Sequence, residues 1–211
     1  GRYTVRVSYN YDYRGEYRLR VSLAPGPWQL EAEDNNAVGQ ANQPVFVREG
    51  TNQWAKVLGY LRFADPGDVY RLGNLSPATD IRLGYVLPAT SQLVGTLEVL
   101  DNAGTVVASA PAGTTNLFYT VPADQAGLYY ARIRAEAGTA GLLSQYLLTW
   151  ELTDLLPPSI VGDTLPAEGS SFVGLFDRFA LTFSEDMLAA TVNDPASYEL
   201  RSAGPDGQLD T

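Results

Sequence analysis

The strongest constraint on this chain is side-chain alternation with a period of two, repeated in short runs. At the start, Tyr3, Val5, Val7, Tyr9, Tyr11 and Tyr13 alternate with Arg2, Thr4, Arg6, Ser8, Asn10, Asp12 and Arg14. A strand with one face in an apolar core and the other in water has this pattern. After the turn residues Arg14-Gly15-Glu16 the alternation resumes with Tyr17, Leu19, Val21 and Leu23, so residues 1–24 read as a β-hairpin. The pattern returns over 68–72, 81–87, 93–100, 105–109, 117–121, 127–136 and 142–152, with Gly, Pro, Asn and Asp punctuation between the runs. Short strands at near-regular spacing predict an all-β fold, an antiparallel β-sandwich or jelly roll. Mild helical character is confined to Gln53–Leu61 and Ser184–Val192.

An internal repeat sets the organisation. Gly1-Arg2-Tyr3-Thr4-Val5-Arg6-Val7 aligns with Gly127-Leu128-Tyr129-Tyr130-Ala131-Arg132-Ile133, and Tyr17, Leu19, Val21 and Leu23 align with Tyr146, Leu148, Trp150 and Leu152. Residues 1–26 therefore read as the closing hairpin of one module and 27–154 as its next copy. Pro157-Pro158 marks a second boundary, and 155–211 reads as the beginning of a third module with strands at 159–161, 179–183 and 198–201. A lone hairpin and a short third piece are each small for independent stability, so a segment of a longer polypeptide is expected.

What is missing narrows the chemistry. The chain has no His and no Cys, which excludes a Ser-His-Asp triad, a Cys nucleophile, a His/Cys zinc site, an iron–sulfur cluster and a disulfide. With 24 acidic against 14 basic side chains and a net charge of −10, the surface should repel nucleic acid and anionic lipid and attract divalent cations. No run approaches the roughly 18 consecutive apolar residues of a membrane span. The start carries no signal-peptide pattern, so any export signal is expected outside this segment.

Three stretches carry a resemblance. Leu30-Glu31-Ala32-Glu33-Asp34-Asn35-Asn36 is followed by Ala64-Asp65-Pro66-Gly67-Asp68-Val69-Tyr70-Arg71-Leu72, and later by Gly127-Leu128-Tyr129-Tyr130-Ala131-Arg132-Ile133. Together they resemble the bacterial pre-peptidase C-terminal domain, with its E-x-E-P-N-D, D-x-D-x-Y and G-x-Y-x-x-x-V segments. The resemblance implies a jelly-roll-like sandwich of secreted bacterial proteins, in some relatives with calcium bound at the leading acidic segment. Here Asp34 stands in place of the usual Pro, Asn36 in place of an Asp, and Pro66 in place of the first Asp of D-x-D, with Asp65 one position earlier. Residues 158–187, with Leu181-Thr182-Phe183-Ser184-Glu185-Asp186-Met187, resemble the first half of a bacterial Ig-like domain.

The implied metal ligands are Glu31, Glu33, Asn35, Asn36, Asp65 and Asp68. Oxygen ligands at alternating positions of an extended segment point to one side, and a second loop can complete the six to eight oxygens that calcium takes. The competing reading is an acidic, solvated turn. Trp28 and Trp54 lie in less regular stretches and are the candidate binding aromatics for polysaccharide or a fibrous protein. Carboxylate pairs such as Glu185 and Asp186 would need opposed placement across a cleft to act as glycosidase groups. The expectation is a non-catalytic extracellular or cell-surface module of structural or adhesive role, possessing other modules of its own polypeptide as partners and calcium as cofactor. Binding of polysaccharide or fibrous protein, and self-assembly through unpaired strand edges, are the alternatives.

Overall fold

The structure is a computed structural model that describes residues 4–8, 19, 21, 23–154, 156–167, 170, 178–184 and 186–199. The fold is all-β, and its centre is an antiparallel sandwich of two sheets built from 29–153. One sheet contains β1 (Gln29–Leu30), β2 (Val47–Glu49), β3 (Asn52–Tyr60), β5 (Asp80–Val86), β8 (Asn116–Thr120) and β10 (Gln145–Thr153). It runs in the order β1-β3-β10-β5-β8, with β2 also on β3. The other contains β4 (Asp68–Leu75), β6 (Gly95–Leu100), β7 (Val106–Ser109) and β9 (Gly127–Ala135), in the order β4-β9-β6-β7. Pairing is antiparallel except for β1, which lies parallel to β3.

The alternation read from the sequence becomes the core. Tyr146, Leu148, Trp150 and Leu152 of β10, Ile81, Leu83 and Tyr85 of β5, and Tyr70, Leu72, Leu97, Val99, Ala131 and Ile133 of the facing sheet are all buried in one cluster. Tyr70 and Phe46 pack against the Trp150 ring with centroids 5.5 and 6.1 Å away. Burial of these side chains supplies the main driving force, about 1.5–3 kcal/mol for each large apolar group.

Segment 53–61 is a correction: it forms a strand, not a helix. Gln53, Ala55, Lys56 and Leu58 are acceptable helix formers, but propensity is a weak prior that tertiary context overrides. Here β3 hydrogen-bonds along its whole length to β10, from Asn52 opposite Thr153 to Tyr60 opposite Gln145. Ala55 and Val57 point into the core while Trp54, Lys56 and Leu58 point outward.

The segment between β1 and β2 wraps over the outer face of the second sheet. Val38 and Ala41 cover Val69, Leu100 and Tyr130 in a small second cluster. Asn42 then borders the free edge of β4, donating its N–H to the Val69 carbonyl (3.0 Å) and accepting from the Arg71 N–H (2.8 Å). Two amides lock the wrap by imitating backbone pairing: Asn42 brackets Ala32 at 2.7 and 2.8 Å, and Gln29 brackets Val45 at 2.8 Å for both bonds.

Much of the hairpin expected over 1–24 lies outside the described residues, including Tyr3, Tyr9, Tyr11, Tyr13, Tyr17 and its turn. Among those described, 4–8 carry no strand, and Val5, Val7, Leu19, Val21 and Leu23 are exposed rather than facing a core. Beyond the sandwich, β11 (Ile160–Asp163) pairs with β12 (Leu181–Phe183), followed by a single helical turn, α1 (Ala189–Val192). Tyr198 and Glu199 carry no strand, and the rest of the strand expected at 198–201 lies outside the described residues.

One side chain joins this last part to the sandwich. The Asp186 carboxylate meets the Arg71 guanidinium (3.1 Å) and the Asn74 side-chain amide (3.0 Å), and its carbonyl accepts from Arg48 (3.2 Å). The carboxylate fits because β4 bulges at Gly73, whose φ is +116° and whose missing Cβ would lie 3.0 Å from Asp186 Oδ2. The pair is half-exposed, so its contribution to stability is under about 1 kcal/mol. The Asp186→Ala variant should therefore keep the sandwich's melting midpoint within about 4 °C, while small-angle scattering records a wider spread of angles between the two parts.

Candidate functional site

At one end of the sandwich the acidic segment after β1 meets the loop before β4. The β1 pairing continues one residue further, the Glu31 N–H reaching the Leu58 carbonyl at 3.1 Å, which turns the Glu31 side chain into the gap between the sheets. There Glu31 Oε1 accepts from the Tyr60 N–H (2.8 Å) and Oε2 from the hydroxyls of Tyr146 (2.9 Å) and Tyr70 (3.3 Å). The Tyr146 hydroxyl also lies 2.5 Å from Asp68 Oδ2 and 2.5 Å from the Tyr70 hydroxyl. Gly59 permits this approach, since a Cβ there would sit 2.3 Å from both Glu31 Oε2 and the Tyr146 hydroxyl.

Asp68 opens β4 and is 0% exposed. Burial, followed by the adjacent Glu31 charge, pushes its pKa up to about 9. Glu31 is raised as well, again chiefly by burial, partly offset by its hydrogen bonds. Burial dominates for the two phenols, which are held well above their ordinary range. Burial raises both carboxyls, so the Glu31–Asp68 pair holds a proton to higher pH than either group does in water.

Next to this pair, Glu33, Asp65 and Asp68 each present a carboxylate oxygen within 4.8 Å of the others. Asp65 is fixed by its own turn, accepting from the Arg62 and Gly67 N–H groups at 3.3 and 3.0 Å. Asn35 is also 0% exposed, and its carbonyl accepts from the Val69 N–H (2.8 Å), which sets it beside Asp68. Three buried side-chain oxygens, Asn35 Oδ1, Asn36 Oδ1 and Asp68 Oδ1, have no hydrogen-bond partner in the protein. Unpartnered buried oxygens are costly, typically about 1–3 kcal/mol each. Asn35 Nδ2 is likewise unpartnered, while the oxygens are of the type a hard cation such as calcium takes, and Glu33, Asp65, Asp68 and the neighbouring Asn oxygens are the residues that could hold one.

Of the residues singled out in the sequence, Glu33, Asp65 and Asp68 bring their carboxylates together, Asn35 is set beside Asp68 by its backbone, and the Asn36 oxygen is buried on the same segment. Glu31 stands behind them, its oxygens taken by Tyr60, Tyr70 and Tyr146. Sequence reasoning missed Arg62, whose guanidinium pairs with Glu33 (2.8 Å), with Asp34, and more distantly with Asp65 (3.9 Å). It is a resident cation at the mouth of the cluster, itself favoured by the Asp34 hydrogen bond. Trp28 and Trp54 lie elsewhere, on the outer face of the first sheet, where both contact Lys56.

No family model matches the chain, and no curated protein matches it. Among solved structures, one similar chain is a periplasmic lysozyme inhibitor of g-type lysozyme from Aeromonas hydrophila, PliG. It has a TM-score of 0.38 and 10% identity, covering 53% of this chain and 92% of that one. A second belongs to a Glycosylation Associate Protein (Gap123) complex from Streptococcus agalactiae, with a TM-score of 0.24 and 18% identity, covering 44% and 29%. Among the described residues no helix is long and apolar enough to cross a membrane.

The raised Asp68 value fixes a sign. Its folded pKa of about 9 exceeds the unfolded value near 3.9, so the folded state holds a proton that the unfolded state releases. Calcium-free stability therefore falls as pH rises through the window from about 4 to about 9, while calcium, which needs the ionised group, binds more tightly over the same window. Melting midpoints at pH 5.5 and 8 with chelator should decrease, the calcium-induced increment should grow, and Asp68→Asn should flatten both trends. Gly59→Ala, which drives a methyl into the Glu31–Tyr146 contact, should cost about 2–4 kcal/mol in denaturant unfolding.

Proposed function

We propose that the protein is a non-catalytic extracellular module of structural and adhesive role, ordered by calcium at the acidic segment that leads into the sandwich. The observation that carries this reading is a buried set of oxygens, Asn35, Asn36 and Asp68 without partners, beside the Glu33 and Asp65 carboxylates. The resemblance of segments 30–36, 64–72 and 127–133 to the pre-peptidase C-terminal domain agrees with it, as does that of 158–187 to a bacterial Ig-like domain. Both families belong to multidomain secreted or surface proteins.

The work of the cation follows from where its ligands stand. Glu33, Asn35 and Asn36 lie on the segment wrapped over the second sheet, while Asp65 and Asp68 belong to the loop and strand that the segment borders. A divalent cation shared between them pins the wrap, offsets the mutual repulsion of the carboxylates, and fixes the direction from which the chain arrives at the sandwich. Arg62 does part of this with a single charge. Asp186 provides the corresponding fastening at the other boundary, so that the sandwich is held on both sides as a spacer of defined geometry.

The test is a thermal melt in chelator and in millimolar calcium. Calcium at a hundred times its dissociation constant contributes about 2.7 kcal/mol, which for a domain of this size raises the midpoint by about 5–10 °C. The Glu33→Gln/Asp65→Asn double variant should lose that increment, and Arg62→Gln should enlarge it by lowering the chelator midpoint. An unchanged midpoint on adding calcium to the unsubstituted protein would overturn the reading.

A further inference from the structure

The outward face of the first sheet carries a second, separate arrangement. Register places Trp54, Glu151, Arg82 and Phe118 side by side across β3, β10, β5 and β8, and Lys56, Thr149, Gly84 and Asn116 in the adjoining row. Because Gly84 has no side chain and Thr149 a short one, the second row sinks into a shallow groove of about 450 Å³. Trp54 lines it and Phe118 stands just outside it on β8, so an aromatic ring lies towards each end. At one, the Lys56 ammonium lies 4.9 Å from the Trp54 ring centroid and 5.6 Å from that of Trp28; at the other, the Arg82 guanidinium lies 5.7 Å from the Phe118 ring. Phe118 is 56% exposed.

The state of the cations says what the groove is built for. In the sandwich, Arg62, Arg71, Arg132 and Arg134 each pair with a carboxylate. Among the described residues Lys56 and Arg82 make no such pair, although the chain carries a net charge of −10. Among the described residues Glu151 is the one carboxylate lining the groove, so its lining carries two cations against one anion, with Asp80 one same-face step beyond Arg82. Both cations rest on aromatic rings instead, which holds them in place without neutralising them.

We propose that this groove binds an extended acidic polysaccharide, a glycan bearing uronate carboxylates. The aromatic ends accept the apolar faces of sugar rings, which present C–H groups to a ring face. Three inter-strand spacings separate Trp54 from Phe118, roughly 14 Å, a span that suits several consecutive sugars rather than one. Arg82 and Lys56 meet the carboxylates, the guanidinium in the two-pronged fashion that suits them. Asn116, Thr149 and Glu151 are left for hydroxyl groups. A shallow open groove of this kind suits internal stretches of a long polymer. The site shares no residue with the acidic cluster and works without calcium.

Native affinity electrophoresis in gels containing polygalacturonate, alginate or hyaluronate, run in chelator so that calcium cannot bridge protein and polymer, tests this directly. At least one of the three polymers should retard the protein, and its carboxyl-reduced form should not. Trp54→Ala and Phe118→Ala should each weaken retardation about tenfold, and Lys56→Gln/Arg82→Gln should abolish it with an unchanged melting midpoint. Glu33→Gln/Asp65→Asn should leave it intact, which separates this site from the cation cluster. The proposal is overturned if none of the polymers retards the protein. It is equally overturned if the carboxyl-reduced polymer binds as well as the acidic one, which would indicate a neutral-glycan surface, or if the cation double variant still binds.

Discussion

A single buried hydrogen-bonded knot holds the architecture together at the end where the acidic segment meets the loop before β4. Tyr146 comes from the first sheet, Asp68 and Tyr70 from the second, and Glu31 from the strand that leads into them, and their oxygens meet between the layers. Sandwiches are ordinarily joined by apolar contact, which is non-directional and tolerates sliding. A polar knot is directional, so it fixes the relative register of two sheets and the path of the leading segment at once. Gly59 is the steric condition for that meeting.

Placing carboxylates where water cannot reach them obliges the protein to deal with their charge. Three solutions coexist within a few ångströms: a retained proton on the Glu31–Asp68 pair, the guanidinium of Arg62, and an oxygen set suited to a divalent cation. They compete for the same negative charge, so on the proposed reading occupancy of the site would depend on pH. This gives the acidic excess of the composition a local purpose, since the same carboxylates scattered over the surface would have no such coupling.

The two faces of the sandwich have been put to different uses. The outer face of the second sheet is closed off, by the wrap of Val38 and Ala41 and by the Glu98 carboxylate clamped between Arg132 and Arg134 at 2.5 and 3.0 Å. The outer face of the first sheet is left open, with its cations resting on aromatic rings. The closed face is covered by the chain's own segments, and the open face is the one the proposed glycan site occupies.

Period-two alternation by itself determined the all-β class, and with it nearly every strand of the sandwich from β4 to β10, because each of these has one face in the core and the other out. The same signal failed for β3, whose helix-forming residues and outward Trp54, Lys56 and Leu58 blur the alternation, and which is a strand only because β10 lies along its whole length. It also misrepresented the described parts of 4–23, where alternating Val and Leu side chains are exposed. The acidic residues of the carboxylate cluster were legible as types and spacings, but their separate environments were not. Whether Glu31 faces the metal set or the tyrosines depends on a backbone pairing with Leu58, and Arg62 joins the cluster through the turn that Asp65 closes. The groove on the first sheet was less legible still, because Trp54, Arg82 and Phe118 are far apart in the chain. Local pattern depends on the i, i+2 geometry of one strand, which sequence records. Neighbourhood across strands depends on which edges pair and in what register, and that is decided only when the two sheets close over their common core.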